Sequence, residues 1–291
     1  VNRCELRIEG GSLIAEGTAT DSIYFVSNAE SPNENDWYGI YCNYNVGVIH
    51  LRYVSFRHAT YVFSGDLTSY GNQSDSLRIS NSHFRDIGSD IFNMYLYGYE
   101  GTRMIIKNNK FTDFSHFFSE NFNLYDTGTL LEIDSNQFIA PHNSLSNYGL
   151  RVNHAGARIR FTNNQSTGNS YMQFYASGDN ATEDQVIIEG NQLSDAGGWN
   201  SIYLNGVSAT QGRFLVKDNT FDSIGVMIYN AAKVLIQGNT IKNVQSSYIA
   251  RPSSSTLEIQ NTHAVVENNT IKDNRGYGIK VYASFDYQAV K

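Results

Sequence analysis

One eight-residue pattern recurs along the chain: apolar, any, apolar, any, small or polar, Asn, any, apolar. It reads MIIKNNKF at 104–111, LEIDSNQF at 131–138, IRFTNNQS at 159–166 and VIIEGNQL at 186–193. It continues as FLVKDNTF at 214–221, VLIQGNTI at 234–241 and AVVENNTI at 264–271, with degenerate copies IHLRYVSF at 49–56 and LRISNSHF at 77–84. From Phe56 to Ile271 the closing positions are spaced 28, 27, 27, 28, 27, 28, 20 and 30 residues apart. Such a fixed period marks a repeat architecture, in which each unit buries its apolar face only against its neighbours.

Each copy has a local physical meaning. Its first and third positions are apolar with a polar residue between them, the alternation of a strand with one buried face. Asn, Gly, Ser or Asp follows, the residue types that tolerate a left-handed turn. Asn then stands at the next position in seven copies: Asn109, Asn136, Asn164, Asn191, Asn219, Asn239 and Asn269. Stacked coils would place these amides one above another, as in ladders of identical side chains. A second strand follows about ten residues later, as in Tyr148-Gly149-Leu150-Arg151-Val152 and Tyr277-Gly278-Ile279-Lys280-Val281. Each coil thus holds two clear strands, a third short one and a variable loop. Leucine-rich repeats need a different Leu spacing, and a propeller needs about four strands per 40–50 residues. The pattern predicts an all-β fold, a right-handed single-stranded parallel β-helix of about nine coils with an Asn turn ladder. Residues 1–45 are expected to form N-terminal coils or a cap, and 46–291 one continuous domain of repeats.

Composition narrows the function classes. Charged residues are 17 % of the 291, while aromatics reach 13 %, with 20 Tyr and 16 Phe. This is a core-forming composition, unlike that of a disordered chain. The net charge of −7 and the absence of any Lys/Arg run argue against a nucleic-acid partner. No apolar stretch approaches the ~20 residues of a membrane helix, so membrane insertion is not expected. The chain begins at Val1 with no initiator Met or signal peptide, as a mature form or an excised fragment would. The two cysteines, Cys4 and Cys42, fit either a disulfide or two small apolar residues. Four Asn-x-Ser/Thr sequons (Asn72, Asn164, Asn180, Asn268) are no more than so Asn-rich a chain produces by chance.

The Asn-turn repeat, in forms such as VENNTIKDNRGYGIKVYAS at 266–284, resembles the right-handed β-helix repeat of secreted carbohydrate-active and carbohydrate-binding proteins. The pectate-lyase-like superfamily and the NosD-type repeat proteins share it. The N-terminal stretch, with Ile23-Tyr24-Phe25 and Asp36-Trp37-Tyr38-Gly39-Ile40, is similar to the first coils of bacterial surface β-helix proteins. The resemblance covers nearly the whole chain. It implies a fold and an extracellular or cell-surface setting, and leaves activity open because the repeat is a structural signature.

Chemistry is expected beside the second strand, where the variable loops 64–76, 97–103, 125–129, 176–185, 205–213 and 250–263 cluster. With Leu150, Val152, Ile202, Leu204, Ile279 and Val281 inward, one outward row reads Asn123, Arg151, Gln173, Tyr203, Met227 and Lys280. The next reads Tyr97, Tyr125, Asn153, Tyr175, Asn205, Tyr229 and Tyr282. Tyr offers a flat apolar face with a polar rim, and Asn offers paired donors and acceptors. A sugar ring, apolar on its faces and polar at its edges, suits both. The β-propensity of Tyr accounts for the same residues without any ligand.

The resemblance also implies two chemistries that these rows do not match. Pectate-lyase-type enzymes hold Ca²⁺ in several carboxylates, yet neither row carries an acid; Glu100, Asp126, Asp179, Glu183 and Asp184 fall in loops. Polygalacturonase-type hydrolases need a close group of Asp residues on adjacent coils, and no such pair occurs at a strand. The histidines show no metal-ligand spacing, and no Gly-rich phosphate loop is present. No cofactor and no metal are therefore expected. A metal-independent polysaccharide lyase would use Arg151, His154, Tyr125 and Tyr175 as its catalytic group. The favoured reading is a glycan-binding module using Tyr97, Asn153, Tyr203, Asn205, Tyr229, Lys280 and Tyr282. The lyase and a structural adhesin or fibre shaft, open to end-to-end or self-association, are its alternatives.

Overall fold

A computed structural model describes residues 4–44, 46–69, 76–99, 101–146, 148–178, 180–195, 200–207, 210–245 and 255–282. Glu100, Asp179, the sequon at Asn72 and the C-terminal segment 286–291 lie outside the described residues. Described residues form strands and turns, with no helix among them.

The repeat becomes three strands per coil. The first strand of each coil, such as Arg103–Lys107, Leu130–Asp134 or Arg158–Thr162, joins a ten-stranded parallel sheet running from Gly11–Glu16 to Ala264–Glu267. Its register matches the copies position for position: Met104 pairs with Leu77 and Leu131, Leu131 with Ile159, and Val186 with Phe214. The closing residue of each copy lies in a short strand, and these also stack coil on coil, Phe84 on Phe111 and Phe111 on Phe138. The second strands form a third stack, from Leu6–Ile8 and Ile40–Cys42 to Tyr277–Tyr282. Two long strands, Lys110–Phe118 and Gln137–Ser146, run from the short strands toward the second strands, so these two stacks read as one 21-stranded sheet.

Two of the expected loops are corrected. Strand Phe63–Ser69 occupies much of the expected loop 64–76, and strand Ser255–Gln260 lies within the expected loop 250–263. Within the N-terminal segment, Gly11–Glu16 pairs with Val46–Arg52 and extends the first-strand sheet.

Interior and turns explain the register. The first and third positions of the copies are buried, save half-buried Val266 in the last, and the closing residues stack through the core, with Phe84–Phe111 and Phe111–Phe138 ring centroids 5.0 and 5.4 Å apart. The residue before each ladder Asn adopts the left-handed conformation: Asn108, Ser135, Asn163, Gly190, Asp218, Gly238 and Asn268 all have φ between +53° and +69°. Each ladder Asn accepts the backbone N–H of the preceding coil's ladder residue on Oδ1, as in Asn136 N–H to Asn164 Oδ1 at 2.9 Å. It donates Nδ2–H to a carbonyl of that preceding coil, as in Asn164 to Ile133 O at 2.9 Å, and, in every rung before Asn269, to the next ladder amide. The ladder thereby satisfies turn backbone groups that burial would otherwise leave without partners. Asn164 is a rung of this ladder, wholly buried, and no glycan acceptor despite its sequon. Cys4 and Cys42 are not bonded to each other. Cys42 packs in the core, where burial pushes its thiol up to about 12.

Candidate functional site

The second strands alternate through the middle coils, but in the last coil Ile279 and Val281, expected inward, are exposed. Inward Phe122, Leu150, Phe174, Leu204 and Ile228 are fully buried, which turns the alternate residues outward; of these Asn123 is still buried. Paired registers give one outward row: Thr68, Tyr97, Asn123, Arg151, Tyr175, Asn205, Tyr229, Gln260 and Tyr282. The row two residues earlier holds Asp66 and Tyr95, then Gln173, Tyr203, Met227, Glu258 and Lys280.

These rows correct the expected ones. Asn123 and Arg151 share a row with Tyr97 and Tyr175, because Leu150 pairs with Phe174 and not with Met172. Tyr125 and Asn153 lie beyond their strands, where Tyr125 stacks on Tyr99 with ring centroids 5.0 Å apart. Asn153 donates from Nδ2 to Asn123 Oδ1 at 3.2 Å. A slip of two residues keeps the same side chains inward, so the hydrophobic pattern is blind to it. The face is also not free of acids. Glu258 sits in the row of Tyr203 and Lys280, hidden from the sequence reading inside a presumed loop. Its signal was present, since Leu257 and Ile259 flank it in the usual alternation.

The centre of the face is aromatic. The Arg151 guanidinium lies over the Tyr175 ring, 4.2 Å from its centroid. Tyr175 neighbours Tyr203 at 5.9 Å, and Tyr203 neighbours Tyr229 at 5.2 Å, so three rings run across three successive coils. Side-chain bonds fix their orientation: Tyr175 donates to Gln173 Oε1 at 2.9 Å, and Asn205 donates from Nδ2 to the Tyr203 hydroxyl at 3.1 Å. Burial, and next Tyr203, push the Tyr175 phenol above its ordinary range, against a lowering pull from Arg151.

Further along, Glu258 is a clamp. Its Oε1 accepts from the hydroxyls of Tyr229 at 2.8 Å and Tyr282 at 2.6 Å, and Oε2 accepts from Ser255 Oγ at 2.8 Å. Burial, the largest single influence, raises the Glu258 carboxyl, but the three hydroxyls together hold it below its ordinary value. Burial and the Glu258 hydrogen bond drive Tyr229 and Tyr282 upward, so both are neutral phenols. Lys280 Nζ rests 4.7 Å from the Tyr282 ring centroid.

His154 stands apart from this chemistry. It follows the strand in a turn, where its Nδ1 accepts the Gly156 N–H at 3.0 Å. That bond leaves Nε2 as the nitrogen that carries hydrogen in the neutral ring. Among the described residues no group of three or more His, Cys, Asp or Glu is arranged to hold a metal ion. No helix among them is long and apolar enough to cross a membrane.

No curated protein and no solved structure matches the chain. Residues 181–290 match the family model described as right handed beta helix region. That match, with the parallel coils that the described residues form from Leu6 to Tyr282, shows the fold to be a right-handed parallel β-helix built of repeats.

Proposed function

We propose that the chain is an extracellular or cell-surface module that binds polysaccharide along the second-strand face. The observation that carries this reading is the continuous Tyr175–Tyr203–Tyr229 array, edged by Arg151, Asn205 and Gln173. Rings held by hydrogen bonds present apolar faces at little further entropic cost, and the amides beside them supply the donors and acceptors that sugar hydroxyls need. Phenols held neutral favour binding over proton abstraction, since a tyrosine base must first ionise.

A metal-independent lyase is the second reading, favoured by Arg151 seated on Tyr175 beside Asn123 and Asn153. A cation and amides next to a phenol are the groups that neutralise a uronate carboxylate and deliver a proton. His154 enters that reading only as a proton donor through Nε2.

One experiment separates the two. The chain is mixed with neutral and acidic polysaccharides, and retention and ultraviolet absorbance of unsaturated products are followed. Binding predicts retention without new absorbance, and Tyr175→Ala with Tyr229→Ala should weaken retention about tenfold or more from lost stacking. Retention unchanged in the double variant would sink the proposed face, and new absorbance abolished by Arg151→Ala would establish the lyase.

A further inference from the structure

The outer face of the ten-stranded sheet carries a different surface. In its early coils, strand pairing sets His50 beside Arg78 and, one row along, Arg52 beside Ser80 and Ser80 beside Lys107. Neighbouring strands lie about 4.8 Å apart, so Arg52 and Lys107 flank the Ser80 hydroxyl from either side while Arg78 stands two residues away on the same strand. The turn residues Asn81 and Asn108 are exposed there and add amide donors. These side chains line one groove of about 320 Å³, which Glu16 closes at its N-terminal end. Lys107 is pinned by Asp134 at 2.8 Å.

A backbone outlier sits at the same place. Turn positions equivalent to Tyr53 are Asn, Ser, Gly or Asp in the following coils, residue types that accept a left-handed conformation. Tyr53 adopts φ +50° although it is bulky and aromatic, a conformation that costs energy. In return the Arg52 guanidinium lies over its ring, 5.2 Å from the centroid. Tyr53 is thus a positioning residue for Arg52, which lines the groove.

We infer that this groove binds a tetrahedral oxyanion, a sulfate or phosphate group, seated over Ser80 between Arg52, Arg78 and Lys107. Hydroxyl, amide and guanidinium donors line the one groove, the donor types that such a group requires. The chain as a whole carries −7, so binding of a polyanion must come from this local arrangement and not from bulk attraction. The site lies on another sheet from the tyrosine face and does not depend on the reading proposed for it.

The test uses the full chain at constant ionic strength, with inorganic sulfate, inorganic phosphate, dextran sulfate and uncharged dextran as probes, read by calorimetry. The expected result is binding of at least one inorganic oxyanion, and binding of dextran sulfate tighter than that of dextran. Preference between the two inorganic ions assigns the source of the group. Arg52→Gln with Arg78→Gln should weaken dextran sulfate by tenfold or more, as loss of charge-assisted hydrogen bonds demands. Tyr53→Asn should raise thermal stability yet weaken the same binding, an outcome a purely structural role would not give. No oxyanion binding, or equal binding by wild type and the double arginine variant, overturns the inference.

Discussion

Replacing Asn164 by Ala removes the middle of the ladder, and its cost follows from the bonds that Asn164 makes. Its Oδ1 accepts from the Asn136 backbone N–H at 2.9 Å and from Asn136 Nδ2 at 3.1 Å. Its Nδ2 donates to Ile133 O at 2.9 Å and to Asn191 Oδ1 at 3.1 Å. The two side-chain amides keep other partners after the change: Asn136 Nδ2 still reaches Ile106 O, and Asn191 Oδ1 still receives the residue 164 N–H. What remains unpaired is the Asn136 N–H and the bond Asn164 gave to Ile133 O, in a turn that water does not reach. Each such loss costs roughly 1–3 kcal/mol, so the variant should be destabilised by about 2–6 kcal/mol. The same change at Asn269, a partly exposed rung, lets water replace the lost bonds and should cost about 1 kcal/mol or less. Urea unfolding of both variants, read as midpoint and slope, measures the difference; a changed slope would signal that the solenoid no longer unfolds as one unit. Equal destabilisation of the two variants would refute the claim that buried backbone satisfaction is what the ladder provides.

Three further outcomes are expected. Phe111→Ala empties a position where rings from Phe84, Phe117 and Phe138 meet within 5.4 Å, and urea unfolding should show a loss of about 3–5 kcal/mol. Gly149→Ala places a methyl 2.1 Å from Tyr175 Cε2, so the ring must move; polysaccharide retention should fall while the circular dichroism spectrum stays that of the parent. Burial raises the Asp134 carboxyl, but bonds from Lys107, Asn163, Thr162 and Ser135 outweigh it and hold it below 3.8. A depressed carboxyl contributes stability above its unfolded value that is lost as pH falls through its folded one. Urea midpoints should therefore drop below about pH 4 more steeply in wild type than in Asp134→Asn.

Period and alternation sufficed for the coil. The apolar positions of each copy, its left-handed turn residue and its Asn appear in the chain at fixed offsets, because each is required by a local backbone geometry repeated in every coil. Their pairing followed, since identical turns stack only in register. The face of the second strands was another matter. Tyr175, Tyr203, Tyr229, Lys280 and Tyr282 were legible as outward residues, yet Arg151 came to rest on Tyr175 through a two-residue offset that leaves the inward set unchanged. Glu258 was missed because its strand follows a Ser- and Pro-containing stretch in a coil of unusual length, although Leu257 and Ile259 carried the alternation. The groove around Ser80 had no sequence signal at all, because Arg52, Arg78 and Lys107 are scattered through three coils. Sequence alone determined which side of each strand is apolar, since alternation is a property of the strand by itself; whether that side is buried depends on a neighbouring coil, and Ile279 and Val281 in the last described coil stay exposed. Tertiary structure decided which surface residues meet, since that depends on the offset between neighbouring coils, which the turns and loops set.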